Sequence, residues 1–326
     1  MVIIFKKNNP YNIILLLFYG LLLKLPSFSN PYIPVPESMD GFLYRLLLRW
    51  LEHLNLPFVY PLISFVLIFI QALSINRLVI NQRLNSKPTY LVGMSYLLIT
   101  SLIPEWQQIS ATLITNTFLI WILSKLCLLH NNQSPKTLII NIGLMIGVAS
   151  FFYFPALGFI ILVIISLIIS RPFILPEWLL LFVGVITPYY FFASWVFLTD
   201  RINNYQLPAI KVIRHLRLDD SIYYFGFAIL FFGILSGIYF VRKNFLRQIV
   251  QTRKSWSIIF FLLFISFVIP FVNNGIKLDY WILLTVPASI ILSAAFYYPE
   301  KKWFPITLHW CFIAIIIAVS YLGIVG

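Results

Sequence analysis

The sequence predicts an all-α, polytopic transmembrane helical bundle of about nine to eleven spans, with one outer amphipathic helix lying in the interface plane. Three observations carry that expectation. Hydrophobic residues make up 61% of the 326 residues and charged residues only 10%, against roughly a quarter charged in soluble domains. With so little polar surface to face water, the solvent for most of the chain is the lipid bilayer. Apolar runs of spanning length recur along the chain between short polar gaps, and Lys and Arg are divided unequally between alternate gaps. The whole chain, 1–326, reads as a single integral-membrane domain.

A span takes about 20 mostly apolar residues. Such runs lie near 10–26, 57–75, 88–104, 108–128, 137–153, 155–170, 178–198, 221–241, 256–273, 279–298 and 305–325. The first follows Lys6 and Lys7, but no A-x-A-like cleavage site comes after it, so it is read as a retained span. The outer loop 27–56 comes next and contains NPYIPVPESMDGFLYRLLLRW. From its acidic lead-in, Leu43, Leu46, Leu47, Trp50, Leu51 and Leu54 fall on one helical face, with Arg45, Arg49, Glu52 and His53 on the rest. This predicts an interfacial helix at about 40–54. The runs 137–153 and 155–170 are short, 17 and 16 residues rising only about 24–26 Å, and meet at Phe154-Pro155. They either cross fully or form a re-entrant pair, and both leave the parity of later loops unchanged. A second long outer loop, about 199–220, precedes the eighth run. Pro-Glu-Trp occurs at 104–106 and again at 176–178, a generic way to start a spanning helix.

One set of alternate gaps holds 15 Lys and Arg with two acids, the other 8 with eight acids. The positive-inside rule puts the first set, with the N-terminus, in the cytoplasm and the C-terminus outside. Despite a formal charge of +13, the cations form no continuous patch, which excludes a nucleic-acid interface. Cys127 and Cys311 stand in or beside apolar runs and outside any CxxC or Cys/His pattern, so neither a disulfide framework nor a metal site is expected. Walker-A and GxGxxG patterns are absent. No ionisable Asp, Glu, Lys or Arg lies mid-span, where the polar residues are neutral ones such as Gln71, Asn116 and Asn141. This weighs against a proton- or ion-coupled carrier. His309 reads as an interfacial residue.

Candidate chemistry therefore gathers at the outer face. Glu37 and Asp40 precede the interfacial helix, suited either to general-base work on an acceptor hydroxyl or to capping the helix, with Asp40 the favoured N-cap. KVIRHLRLDD at 211–220 offers Lys211, Arg214, His215 and Arg217 as phosphate donors, or as contacts to lipid headgroups and to Asp219 and Asp220. In NNGIKLDYWILLTVP at 273–287, Lys277 and Asp279 sit just outside a span that starts with interfacial aromatics.

This layout resembles the GT-C superfamily of polyprenyl-phosphate-dependent glycosyltransferases. The resemblance implies Asp40 or Glu37 as the catalytic acid/base and Arg214, Arg217, Lys277 and Lys211 as phosphate-binding residues. The substrate class it implies is a polyprenyl-phosphate-linked sugar. The chain has PESMD where those enzymes show a more compact acidic pair, and lacks the outer soluble domain that many of them append. From IFKKNNPYNIILLLFYGLLLKLP through RPFILPEW and TPYYF it also resembles a family of uncharacterised bacterial inner-membrane proteins, which implies that location and no activity. A non-catalytic subunit or scaffold of a cell-envelope assembly, and a lipid or polysaccharide carrier, stay open beside the enzyme. The transferase reading expects Asp40 or Glu37 within about 12 Å of Arg214, Arg217 or Lys277.

Overall fold

A computed structural model describes residues 1–131, 135–200, 222–273 and 277–322. Among these, every regular element is a helix; β-type pairing is limited to one isolated bridge, Asp40 with Tyr153. The α-helices are α1 (Val2–Phe5), α2 (Asn12–Leu23), α3 (Leu25–Ser29), α4 (Phe42–Glu52), α5 (Val59–Asn81), α6 (Leu91–Thr100) and α7 (Ala111–Leu128). They continue as α8 (Lys136–Ser150), α9 (Phe159–Ser170), α10 (Leu175–Leu198), α11 (Ile222–Phe245), α12 (Val250–Val268), α13 (Thr285–Tyr297) and α14 (Trp303–Leu322). Short 3₁₀ turns at Pro104–Gln107, Phe154–Gly158, Ile269–Phe271 and Leu278–Leu284 extend or link them.

Each of the eleven apolar runs is helical, but the helices fall into two classes. Among the described residues, seven stretches are long and apolar enough to cross a bilayer: α5, α7, α10, α11, α12 with its 3₁₀ turn, Leu278–Tyr297 and α14. The other four, Asn12–Leu23, Leu91–Thr100, Lys136–Ser150 and Phe154–Ser170, are shorter. Burial explains how a short helix persists. All ten residues of α6 are buried, and it packs against α13, α5 and α2. A helix sheathed by longer neighbours has no lipid boundary to match, because protein satisfies what surrounds it. By contrast α10 exposes large apolar side chains along its length, including Phe182, Ile186, Phe191 and Leu198, as a helix facing acyl chains does. It meets the short α8 at very close range: a Cβ at Gly184 would lie 2.6 Å from the Ile140 carbonyl oxygen, so only glycine allows that approach.

Polar groups at depth fasten helices together. Gln71 Nε2 donates to the Leu113 carbonyl and to Thr117 Oγ1, both at 2.8 Å, and Tyr96 Oη donates to Gln71 Oε1 at 2.6 Å. Asn116 Nδ2 donates to the Ile282 carbonyl at 3.0 Å. His309 is buried between the rings of Tyr19 and Phe296. Lys24 is wholly buried as well, donating to the Thr100 carbonyl at 3.3 Å.

The alternate gaps gather at opposite ends of the bundle. At one end the Phe5 carbonyl accepts from Tyr90 N, Lys6 Nζ donates to the Tyr297 carbonyl, Tyr298 Oη donates to the Leu84 carbonyl, and Lys254 Nζ meets His130 Nδ1. At the other end the segment around residues 37–45 touches Ile109, residues 151–154, Lys277 and Tyr280. The segment 201–221, which includes Lys211, Arg214, His215, Arg217, Asp219 and Asp220, lies outside the described residues.

The amphipathic segment is a helix, α4, but its faces differ from the predicted stripe. Tyr44, Leu48 and Leu51 are buried against the protein, whereas Leu46, Trp50 and Leu54 are exposed. Tyr44 and Leu48 belong to no part of the predicted apolar set. The helix thus has a protein face, an uncovered apolar face and a charged face bearing Arg45, Arg49 and Glu52. The N-cap is Gly41, and no side chain caps the helix, so Asp40 does not play the capping role expected of it.

Candidate functional site

The turn that leads into α4 is pinned to the junction of α8 and α9. Gly41 N donates to the Phe152 carbonyl at 2.8 Å, Leu43 N to the Phe151 carbonyl at 3.0 Å, and Phe154 N to the Met39 carbonyl at 3.2 Å. Gly41 permits this, since a Cβ there would run into the Phe151 carbonyl. The two short helices therefore converge on the acidic turn.

Asp40 is 6% exposed, and its Oδ2 accepts from Glu37 N at 2.7 Å. Burial pushes its carboxyl up to about 7, against an opposing backbone hydrogen bond from Glu37; the charges of Glu37 and Asp279 push it further up and Arg45 draws it down. Glu37 is held differently. One carboxylate oxygen pairs with Lys277 Nζ and the other accepts from Tyr280 Oη, while Arg45 Nη2 donates to the Glu37 carbonyl at 2.9 Å. Burial draws the Lys277 ammonium down, but the hydrogen bond and charge of Glu37 outweigh it and its pKa ends up raised.

A second layer fixes these groups. Tyr280 stacks on Tyr153 with ring centroids 5.7 Å apart, and Tyr153 Oη accepts from Asn273 Nδ2 at 2.8 Å. Trp106 Nε1 donates to the Leu278 carbonyl at 2.7 Å, Thr112 Oγ1 to the Asp279 carbonyl at 3.0 Å, and Tyr44 Oη to the Ile109 carbonyl at 3.1 Å. Glu105, which accepts from Tyr223 Oη at 2.9 Å, stands within electrostatic reach of Asp279. Four of the chain's ten acids are thereby gathered at one end of the bundle.

A cavity of about 550 Å³ opens at the same end, lined by Asn30, Tyr32, Tyr60, Gln107, Gln108 and Ser320 among others. Its Tyr32 couples electrostatically to Tyr44 and Lys277. The side-chain oxygens of Gln107 and Ser320 are buried, and neither has a hydrogen-bond partner among the described residues. Among the described residues no three of His, Cys, Asp and Glu stand together as a metal site.

Of the residues expected from sequence, Glu37, Asp40 and Lys277 come together, while Lys211, Arg214 and Arg217 lie outside the described residues. Lys277 spends its charge on Glu37, so a phosphate would have to displace that carboxylate. Tyr153, Asn273, Tyr280 and Glu105 carry no such role in the sequence reading, and Asp279 appears there only as a charge beside Lys277. Tyr153 reads as the last residue of a short span, and Tyr280 as an interfacial anchor. The usable signal was parity: all five lie at the same ends of alternate runs as Asp40.

A family model described as "Family of unknown function (DUF6427)" matches residues 39–325. No curated protein and no solved structure matches the chain.

Proposed function

The chain belongs to the DUF6427 family, a family of unknown function, and from the geometry of its acidic end we propose that it is a transferase with Asp40 as general base. The protein is a multi-pass membrane protein of helical spans. In this reading it resides in a bacterial inner membrane with its N-terminus in the cytoplasm, and α4 lies at the outer surface. The donor is a polyprenyl-phosphate-linked sugar of the cell envelope, as in GT-C enzymes, and the acceptor hydroxyl gives its proton to Asp40.

The observation that carries this is the contrast between two neighbouring acids. Glu37 is paired with Lys277 and accepts from Tyr280 Oη, whereas Asp40 is buried, accepts a backbone N–H, and is brought to about 7. A carboxylate poised near neutrality takes a proton more effectively than one at its ordinary value. The phosphate side of the reading rests on Lys277, freed from Glu37, and on Lys211, Arg214 and Arg217.

The scaffold reading has its own support: the Glu37–Lys277–Tyr280 contacts bind the loop before α4 to the start of the Leu278–Tyr297 span, as a purely architectural clasp would. The two separate in one experiment. Purified protein is incubated with a polyprenyl-phosphate sugar and acceptor, comparing wild type with Asp40→Asn and Asp40→Glu at matched folding. The transferase predicts turnover in wild type, loss of at least about a hundredfold in Asp40→Asn, and partial recovery in Asp40→Glu. Equal rates in wild type and Asp40→Asn rule out Asp40 as the base.

A further inference from the structure

The opposite end of the bundle holds two further cavities, about 500 Å³ and 450 Å³, which share Ser86, Lys87, Arg247, Gln248 and Tyr298 in their walls. They form one divided groove between the α5–α6 connection and the start of α12. Its cations among the described residues are Lys6, Arg83, Lys87 and Arg247, and among those residues no Asp or Glu lines either lobe. Among the described residues the ion pairs are Arg171–Glu177 and Lys277–Glu37, so none of these four cations is paired with a carboxylate there. Lys6 is drawn below its usual value by burial and by the charge of Lys302, as expected where positive potential accumulates.

The groove also holds polar groups with nothing to bind. Asn85 and Thr89 are 7% and 2% exposed, and among the described residues neither amide atom of Asn85 nor the Thr89 hydroxyl has a hydrogen-bond partner. Gln248 donates to Tyr298 Oη at 3.0 Å, yet its Oε1 is buried without a donor. Unpaired cations call for an anion, and Arg forks suit phosphoryl oxygens. Unpaired acceptors on Asn85 and Gln248 call for a ligand that also donates, which a phosphodiester alone does not. The groove's apolar wall, Val79, Ile80, Leu84 and Ile249, is placed to meet alkyl chain.

We propose that this groove binds a phosphoryl group esterified to a hydroxyl-bearing alcohol, with Arg83, Lys87 and Arg247 on the phosphate and Asn85 and Gln248 on the hydroxyls. Phosphoglycerol has that chemistry, either as a lipid headgroup or as a soluble phosphate.

The test uses the full chain in phosphatidylcholine nanodiscs doped with phosphatidylglycerol or with hydroxyl-free phosphatidylethanol, counting retained lipid by native mass spectrometry. Glycerol 1-phosphate is titrated in parallel. Wild type should retain phosphatidylglycerol about tenfold or more over phosphatidylcholine, and Asn85→Ala should narrow its preference over phosphatidylethanol. The triple variant R83Q/K87Q/R247Q should lose the preference, while R242Q/K243Q, at the same end but outside the groove, should keep it. Saturable glycerol 1-phosphate binding that displaces the lipid would identify a soluble ligand for the same site. Two results overturn the proposal: wild type that prefers neither phosphatidylglycerol nor glycerol 1-phosphate, which is decisive even if the triple variant fails to fold, or an unchanged preference in the folded triple variant.

Discussion

The two ends of this bundle handle charge in opposite ways. At the end bearing α4, acids are drawn inward and engaged: Glu37 by Lys277 and Tyr280, Glu105 by Tyr223, and Asp40 by a backbone N–H. At the other end Arg83, Lys87 and Arg247 stay exposed around a groove without carboxylates. Buried charge must be paired or shifted in pKa, so the acidic end stores its chemistry in geometry. Exposed cations cost little to keep and remain available to whatever anion arrives. The first arrangement suits a reacting centre, the second a binding surface.

The comparison is broken most severely at Gly41. Replacing it with Val forces the acidic turn away from Phe151, where a Cβ has no room. The expected cost is about 3 kcal/mol or more, read as a lowered unfolding midpoint in detergent, with a Gly226→Ala control in a position where a Cβ meets no atom nearer than 3.8 Å. A Gly41→Val protein as stable as the control would mean that the turn is not pinned.

Next in size is the pH dependence set by Asp40. Its folded value of about 7 lies above the ordinary 3.8, so the stability it permits is fully present below about pH 4 and is lost as pH rises through about 7. Asp40→Asn removes that loss. The variant should be more stable than wild type at pH 8 by up to about 4 kcal/mol, the full value of the shift, and the gain should vanish near pH 4. A gain independent of pH would point to packing instead.

The Glu37–Lys277 pair should matter less. The Lys277 side chain is 54% exposed, and solvent screens such a pair. A double-mutant cycle with Glu37→Gln and Lys277→Gln should give a coupling of about 1 kcal/mol or less, shrinking with added salt. The smallest perturbation is topological: single cysteines at Asn30 and Asn244 should leave stability unchanged and be labelled from opposite sides, Asn244 only after the membrane is permeabilised.

These expectations also mark how far the sequence could be read. Spans were legible because lipid imposes a length and an apolar content on any helix that faces it, and all eleven runs are helical. Which helices were sheathed was not legible, because α6 and the lipid-facing α10 are both simply apolar in composition. The same limit hid the protein face of α4, where Tyr44 and Leu48 are covered by elements remote in sequence. At the site, Glu37, Asp40 and Lys277 could be singled out as charges near predicted loops. Tyr153, Asn273 and Tyr280 could not, since a neutral residue at a span end carries no sign of what it will face. Whether burial or Arg45 would govern Asp40 depends on a contact within the chain with residues 151–154, more than a hundred positions away, and burial prevails.

That burial raises the Asp40 carboxyl to about 7, while Lys277 and Tyr280 engage Glu37, is open to direct observation. Infrared difference spectra of wild type and Asp40→Asn in nanodiscs isolate the carbonyl stretch of the protonated Asp40 carboxyl as pH is raised. This band should be present at pH 5, fall by half at about pH 7, the value burial imposes, and be missing from the Asp40→Asn protein throughout. A band already lost by pH 5 would show an ordinary, ionised carboxylate and contradict the assignment of Asp40 as a base.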